Sequence, residues 1–155
     1  MMRALLRTRR SKGFTLIELL IGVTVMGILL AIAIPNVILA QKRSRYAQAA
    51  SETKTATTQG IIYSNDRGQN PGSVQALRVA GYTNIGDTDP WGNTWVCSGA
   101  FSDTSSPAIQ GEMGVCSMGP VRGGDCTFPM AGPGVSTHDG SVGYSSVYGS
   151  WQGLV

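Results

Sequence analysis

The sequence predicts an α+β fold in which a long N-terminal helix packs against a small antiparallel sheet. One observation is an apolar run of 21 residues, Phe14 to Ile34, which is long enough for a helix that crosses a bilayer. Helical periodicity then continues, and the glycine-rich remainder contains short β-forming stretches. The chain therefore divides into a basic leader (1–13), the transmembrane (14–35) and amphipathic (36–65) halves of one helix, and a loop-rich domain (66–155).

The first twelve residues carry much of the positive charge of the chain. Five of the twelve lysine and arginine residues lie there, so the remaining chain has seven basic and nine acidic residues despite a formal net charge of +3. This balance gives no support for a nucleic-acid partner. Basic residues favour the cytoplasmic side of a membrane segment, which places the leader inside and the rest of the chain outside.

Glu18 and Pro35 stand out in the apolar run. Glu18 is the only charged residue between Lys12 and Lys42, and a carboxylate in hydrocarbon requires a cation or hydrogen-bond donors. The alternative is that the side chain reaches back to the lipid headgroups. Pro35 lacks a backbone N–H and predicts a break in the helix.

The second half of the helix should pack on the domain through a weakly apolar stripe. Its members recur at helical spacing: Tyr46, Ala50, Thr57 and Ile61. We expect the helix to end near Tyr63–Asn65, because an Asp-Arg-Gly turn signal follows.

Short elements follow in the domain. Ser73 is the predicted N-cap of a helix from Val74 to about Val79, which Gly81 ends. β-forming residues predict three strands, at 94–97, 112–118 and 141–148.

The three cysteines all lie in the C-terminal half of the chain, outside the membrane in the expected orientation, which predicts one disulfide and one free thiol. Cys97 and Cys116 lie on neighbouring predicted strands, and their bridge is our first hypothesis. A bridge between Cys116 and Cys126 is the second, and three unpaired buried cysteines are the third.

Residues suited to catalysis are sparse. His138 is the only histidine, it precedes an Asp-Gly turn, and the chain has no Cys-x-x-Cys pair or acidic cluster. The sequence therefore predicts neither an enzyme nor a transition-metal site.

The junction between leader and apolar run carries a specific motif. The stretch Lys12-Gly13-Phe14-Thr15-Leu16-Ile17-Glu18 resembles the signal of type IV pilin-like proteins. The resemblance implies cleavage between Gly13 and Phe14 by a prepilin peptidase and methylation of the new amine of Phe14. It also implies that Glu18 meets the N-terminal amine of a neighbouring subunit during assembly.

A second motif lies in the domain. Asp89-Pro90-Trp91-Gly92-Asn93 is a turn sequence on physical grounds, with Trp91 free to cover the helix. It resembles a motif of the major pseudopilins of type II secretion. That family has a calcium site near its C-terminus, but here serines replace the expected acids and only Asp125 and Asp139 lie nearby. We therefore expect no cofactor, with calcium as the open alternative.

Together the resemblances imply a type IV pilin-like fold and a structural fibre subunit. The expected role is the major pseudopilin of a type II secretion system, working with an inner-membrane assembly platform and its cytoplasmic ATPase. The expected location is the bacterial inner membrane, single-pass, with the C-terminal domain in the periplasm. The alternatives are a type IV pilin of an extracellular filament for adhesion or motility, and a membrane-anchored binding domain.

Overall fold

The computed structural model describes residues 13–105, 111–120, 126–128, 130 and 140–152. The chain forms two compact units, Met1–Ala40 and Gln41–Val155. The leader before Gly13 and the turn predicted at His138 lie outside the described residues.

The first unit contains the start of helix α1 (Leu16–Arg67). Every residue from Gly13 to Ala40 is exposed. Within the described ranges, α1 alone is long and apolar enough to cross a membrane. Because exposed apolar surface of this extent is unfavourable in water, the first unit requires a cover of lipid or protein.

The predicted helix break at Pro35 is wrong, because α1 continues through this residue. A proline removes one helical hydrogen bond, the one to the carbonyl four residues before it. The neighbouring Asn36 side chain donates from Nδ2 to the Ile32 carbonyl oxygen at 3.1 Å. The turns on both sides of Pro35 keep their own hydrogen bonds, so the helix continues on either side of the missing one.

The part of α1 that belongs to the second unit buries one face made of small residues and threonines. The buried residues are Tyr46, Ala49, Thr53, Ala56, Thr57 and Gly60. The predicted stripe is confirmed in part, because Tyr46 and Thr57 are buried whereas Ala50 and Ile61 are half-buried. Each buried threonine hydroxyl donates to the carbonyl four residues earlier, at 2.9 Å, so neither is left without a partner.

Two short helices follow. Helix α2 (Val74–Val79) begins as predicted, with the Ser73 side chain accepting a hydrogen bond from the Ala76 N–H. Gly81 follows it with a φ of 81°, the left-handed conformation that ends helices. Helix α3 (Gly99–Ser102) was not predicted, although Ser98 caps it in the same manner.

A four-stranded antiparallel sheet completes the second unit in the order β1-β2-β3-β4. Its strands are β1 (Val96–Cys97), β2 (Gly114–Ser117), β3 (Val142–Ser145) and β4 (Gly149–Gln152). The three predicted strands are confirmed with shorter bounds, and β4 was missed.

The core lies between the second part of α1, the short helices and the sheet. One cluster joins Ala56 of α1, Leu77 of α2, Phe101 of α3 and Val115 of β2. A second joins Tyr46 and Ala49 of α1 to Val142 of β3. The predicted α+β architecture, a long helix packed on a small antiparallel sheet, is confirmed.

Candidate functional site

The start of α1 presents the residues predicted for cleavage and modification. Gly13 and Phe14 precede the first helical residue, Leu16. The Phe14 residue is 78% exposed, and a Cβ added to Gly13 would have nothing within 4 Å. A peptide bond outside regular structure and open to solvent is well placed for proteolysis.

Thr15 and Glu18 cap the helix reciprocally. Oε2 of Glu18 accepts hydrogen bonds from the Thr15 backbone N–H at 3.2 Å and from the Thr15 hydroxyl at 2.9 Å. The Glu18 N–H donates in return to Thr15 Oγ1 at 3.3 Å. This is a capping box, and it places a carboxylate where the helix dipole favours negative charge. The partner of Glu18 within its own chain is therefore Thr15.

This role of Thr15 was not predicted. The signal was present, because Thr-x-x-Glu at the start of an apolar run is the sequence pattern of a capping box. The predicted contact of Glu18 with an amine of another subunit stays a prediction.

The Asp89 turn is a polar site of the second unit in which both carboxylate oxygens accept hydrogen bonds. Asp89 is 4% exposed. Its Oδ1 accepts from the backbone N–H groups of Trp91 at 3.0 Å and Asn93 at 2.7 Å. Its Oδ2 accepts from Ser117 Oγ at 2.6 Å and Asn93 Nδ2 at 3.3 Å. These donors stabilise a buried carboxylate in place of a cation.

The same turn extends to the segment after β2. Asn93 Nδ2 donates to the Gly119 carbonyl oxygen at 2.8 Å, and the Gly119 N–H donates to Ser117 Oγ at 3.1 Å. Gly92 has a φ of 87°, which requires a residue without a Cβ. The predicted turn at Asp89, Pro90, Trp91 and Gly92 thus links the chain before β1 to the end of β2.

Trp91 covers the helix, as predicted. Its ring packs edge-on against Tyr46 of α1, with ring centroids 4.9 Å apart and an interplanar angle of 63°. This geometry is favourable for two aromatic rings. The motif therefore positions the sheet on α1 and leaves its polar groups engaged within the fold.

The disulfide joins Cys116 to Cys126. Our first hypothesis, Cys97 with Cys116, is wrong. The register pairs Cys97 with Val115 and Val96 with Cys116. Because successive side chains of a strand point to opposite faces, Cys97 and Cys116 lie on opposite sides of the sheet.

Cys97 is a free thiol. Burial raises the pKa of the Cys97 thiol to about 11, and a backbone hydrogen bond with Val74 offsets part of this rise. A neutral thiol at physiological pH is a weak nucleophile, which disfavours exchange with the disulfide.

Glu112 lies beside the C-terminal hairpin, where the calcium alternative would place oxygen ligands. Glu112 Oε1 accepts from Ser145 Oγ at 2.6 Å, and its Oε2 accepts from the Met130 N–H at 2.7 Å. Ser145 Oγ in turn accepts from Val147 N–H at 3.1 Å. Calcium prefers a shell of six to eight oxygens with several carboxylates, and the calcium alternative stays a prediction. No cluster of three metal-ligating side chains occurs in the described residues, and Asp125 and Asp139 lie outside them.

The N-terminal part of the chain matches a known family in sequence. Residues 8–34 match the family described as the prokaryotic N-terminal methylation motif. The relatives that this chain matches include proteins named type II secretion system core protein G and type IV major pilin protein.

The relatives differ in identity and in the share of the chain that they match. It is 26% identical to the type II secretion system core protein G of Aeromonas hydrophila, over 70% of this chain and 90% of that protein. It is 27% identical to the core protein G of Escherichia coli strain K12, over 69% and 88%. It is 53% identical to the type IV major pilin protein PilA of Myxococcus xanthus, but over 32% of this chain and only 22% of that protein. No solved structure matches the chain.

Proposed function

We propose that this chain is a structural subunit of a helical fibre, namely the major pseudopilin of a type II secretion system. The observation that carries the proposal is the fully exposed apolar start of α1 behind an accessible Gly13–Phe14 junction. The similarity to core protein G extends beyond this helix into the domain, which favours the secretion role over a general pilin role.

The proposed assembly uses Phe14 and Glu18. Cleavage by a prepilin peptidase removes the basic leader and leaves a methylated amine on Phe14. The Thr15 donors satisfy the Glu18 carboxylate while α1 lies in the membrane. In the fibre, the amine of a neighbouring subunit replaces or joins these donors, and an ion pair in a low-dielectric core is strong when its hydrogen bonds are complete.

The proposed location follows from the charges around the helix. The leader carries five cations and stays in the cytoplasm, so the second unit lies in the periplasm. An inner-membrane platform and its cytoplasmic ATPase would supply the force for extraction. In this proposal the chain is a substrate of the peptidase and has no catalytic role of its own.

A second candidate function is a type IV pilin of an extracellular filament. The specific observation in its favour is the 53% identity to PilA of Myxococcus xanthus in the matched segment. A disulfide in the domain also suits a filament exposed outside the cell.

Deletion of the gene separates the two candidates. A pseudopilin mutant would retain enzymes that are normally secreted, whereas a pilin mutant would lose surface filaments and continue to secrete.

Gly13→Val should leave the leader attached, while Gly27→Ala, at a position with no neighbour within 4 Å, serves as the control. The intact mass of wild-type protein should begin at Phe14 with one added methyl group. A mass that includes Met1–Gly13 would contradict the proposal.

Glu18→Ala tests the assembly step separately. The variant should be cleaved and methylated normally and should form few or no fibres, because the partner of the neighbouring amine is gone. Thr24→Ala is the matched control in the same apolar run. Fibres in normal number from Glu18→Ala would remove the proposed role of this carboxylate.

A further inference from the structure

Three cations lie together on α1 just beyond the apolar run. Lys42, Arg43 and Arg45 lie within four consecutive positions, with Ser44 before the last of them, and all three are exposed. We refer to these three residues as the cation patch.

The cation patch has no carboxylate partner in the part of the chain that the structure describes. Helical neighbours three or four residues apart can pair, but no acidic residue lies between Glu18 and Glu52. The Glu52 carboxylate accepts a hydrogen bond from Gln48 at 2.9 Å. The ion pair found among the described residues is Arg78 with Asp87, far along the sequence. The positive charge at 42–45 is therefore uncompensated by any carboxylate of the described residues.

The place of the cation patch in α1 indicates its partner. The apolar run ends at Ile34, and a shorter apolar stretch from Val37 to Ala40 follows Pro35 and Asn36. Lys42 therefore lies eight positions beyond Ile34, a rise of about 12 Å, from which a long basic side chain can reach back toward the bilayer. The headgroup region of a bilayer is roughly 5–8 Å thick on each side of the hydrocarbon core. Long basic side chains place their charges in such a layer while their stems cover apolar surface.

We propose that Lys42, Arg43 and Arg45 bind the phosphate groups of anionic phospholipids in the outer leaflet of the membrane that α1 crosses. The inference rests on the membrane orientation in the proposed function. Basic residues that flank a membrane helix usually lie on the cytoplasmic side. Here three of them lie within one helical turn on the outer side, and an anionic partner at that surface accounts for their position. Arginine also binds phosphate oxygens through two parallel N–H donors. The cation patch thereby holds the unassembled subunit at a fixed depth.

The test uses the full chain reconstituted in vesicles of phosphatidylglycerol and phosphatidylcholine in equal amounts. Native mass spectrometry then counts the lipids of each type that stay bound after extraction. The wild-type chain should retain phosphatidylglycerol preferentially. The triple variant Lys42→Gln/Arg43→Gln/Arg45→Gln should reduce the ratio of the two lipids about tenfold or more at low salt.

Two controls make the result specific. Lys54→Gln removes an exposed cation from the same helix farther from the apolar run and should leave the ratio unchanged. Lys42→Arg/Arg43→Lys/Arg45→Lys keeps the charge and should keep the preference. Salt at about 1 M, where the screening length is about 3 Å, should weaken it in the wild type. Closure of the Cys116–Cys126 disulfide and an unchanged circular dichroism spectrum confirm folding of each variant.

Three results would overturn the inference. These are equal retention of both lipids by the wild type, an unchanged ratio in the triple variant, or an equal loss with Lys54→Gln. If the triple variant keeps its lipids but loses crosslinks between copies, the cation patch faces a second copy of the chain and the lipid assignment is wrong. Leader removal and fibre formation are measured in parallel. If no fibres form but the lipid preference is intact, the proposed function is wrong and the lipid inference is not affected.

Discussion

The Asp89 carboxylate and the Ser117 hydroxyl form a buried hydrogen bond of 2.6 Å between the turn before β1 and the last residue of β2. The same carboxylate accepts two backbone N–H groups within its own turn. A single side chain thus closes a turn and fastens it to the sheet, which holds Trp91 against Tyr46. The Asp89–Asn93 motif, which resembles that of the pseudopilins, therefore fixes the turn to the sheet.

Asp89→Ala should destabilise the second unit strongly. The change leaves the buried Ser117 hydroxyl and the half-buried backbone N–H groups of Trp91 and Asn93 without this acceptor, and hydrogen bonds to a charged group contribute about 1.5–3 kcal/mol each. We expect a loss of about 3 kcal/mol, which lowers the Tm by roughly 6–12 °C for a chain of this size. Thermal unfolding of the detergent-solubilised chain measures it.

Asp87→Ala is the control for this prediction. Asp87 pairs with Arg78 at 2.6 Å, but both side chains are about 40% exposed, and exposed ion pairs contribute about 0–1 kcal/mol. Equal losses of stability in the two alanine variants would contradict the role of Asp89 in fixing the turn to the sheet.

Gly60→Ala should destabilise the chain although alanine favours helices by about 1 kcal/mol over glycine. A Cβ at position 60 would lie 2.5 Å from Cε2 of Phe101, whose side chain is fully buried. Overpacking of this kind costs typically about 1–3 kcal/mol, so the steric effect outweighs the helix preference. Chemical denaturation compares it with Gly22→Ala, where the added Cβ has no neighbour within 4 Å. A gain in stability in both variants would show that Phe101 can move aside.

Thr15→Val should loosen the first turn of α1. It removes the hydroxyl that donates to Glu18 Oε2 and accepts from the Glu18 N–H, while keeping a branched side chain. Loss of an N-cap costs about 1 kcal/mol. Hydrogen exchange at the Glu18 and Leu19 amides, which bond to Thr15 Oγ1 and to the Thr15 carbonyl, should therefore quicken about fivefold. In Thr24→Val, where the lost hydroxyl bonds to the Ile21 carbonyl, exchange at these amides should not change, and an equal effect would exclude a capping role for Thr15.

Much of the fold could be predicted because its signals are local. The length of the apolar run, the helical spacing beyond it and the Ser73 cap each depend on neighbouring residues alone. The disulfide could not be predicted, since the register of β1 on β2 places Cys97 and Cys116 on opposite faces. That register is set by packing of the whole sheet. Strand β4 was missed for a related reason, because it depends on pairing with β3 more than on its own composition.

At the candidate site, the sequence identified residues but not their contacts. Glu18 stood out as the only charge in the apolar run, yet its bond to Thr15 was not anticipated. Pro35 was expected to break one long helix by removing a hydrogen bond, but α1 is continuous through this residue. Asp89 was recognised as a turn residue, whereas its contact with Ser117 depends on a segment 28 positions away.

Cys97 should be nearly unreactive until the solution is strongly alkaline. Burial raises the pKa of its thiol from 9.0 to about 11. At pH 8 the thiolate fraction is then about a hundredfold lower than that of an unperturbed thiol, because each pH unit changes it tenfold. Alkylation by iodoacetamide, followed by mass spectrometry, should rise through pH 11 in the folded chain. In guanidinium, with the Cys116–Cys126 disulfide intact, it should rise near pH 9.

The same shift links Cys97 to stability. The folded thiol holds its proton more tightly than the unfolded one, so this contribution to stability is fully present below pH 9 and is lost as the pH rises through about 11. Cys97→Ser removes this dependence and should also remove all alkylation, since the other two cysteines are bonded to each other. Equal alkylation rates for the folded and unfolded wild-type chain at pH 8 would mean that the Cys97 thiol is not protected. Alkylation of Cys97→Ser would mean that the Cys116–Cys126 bond is open.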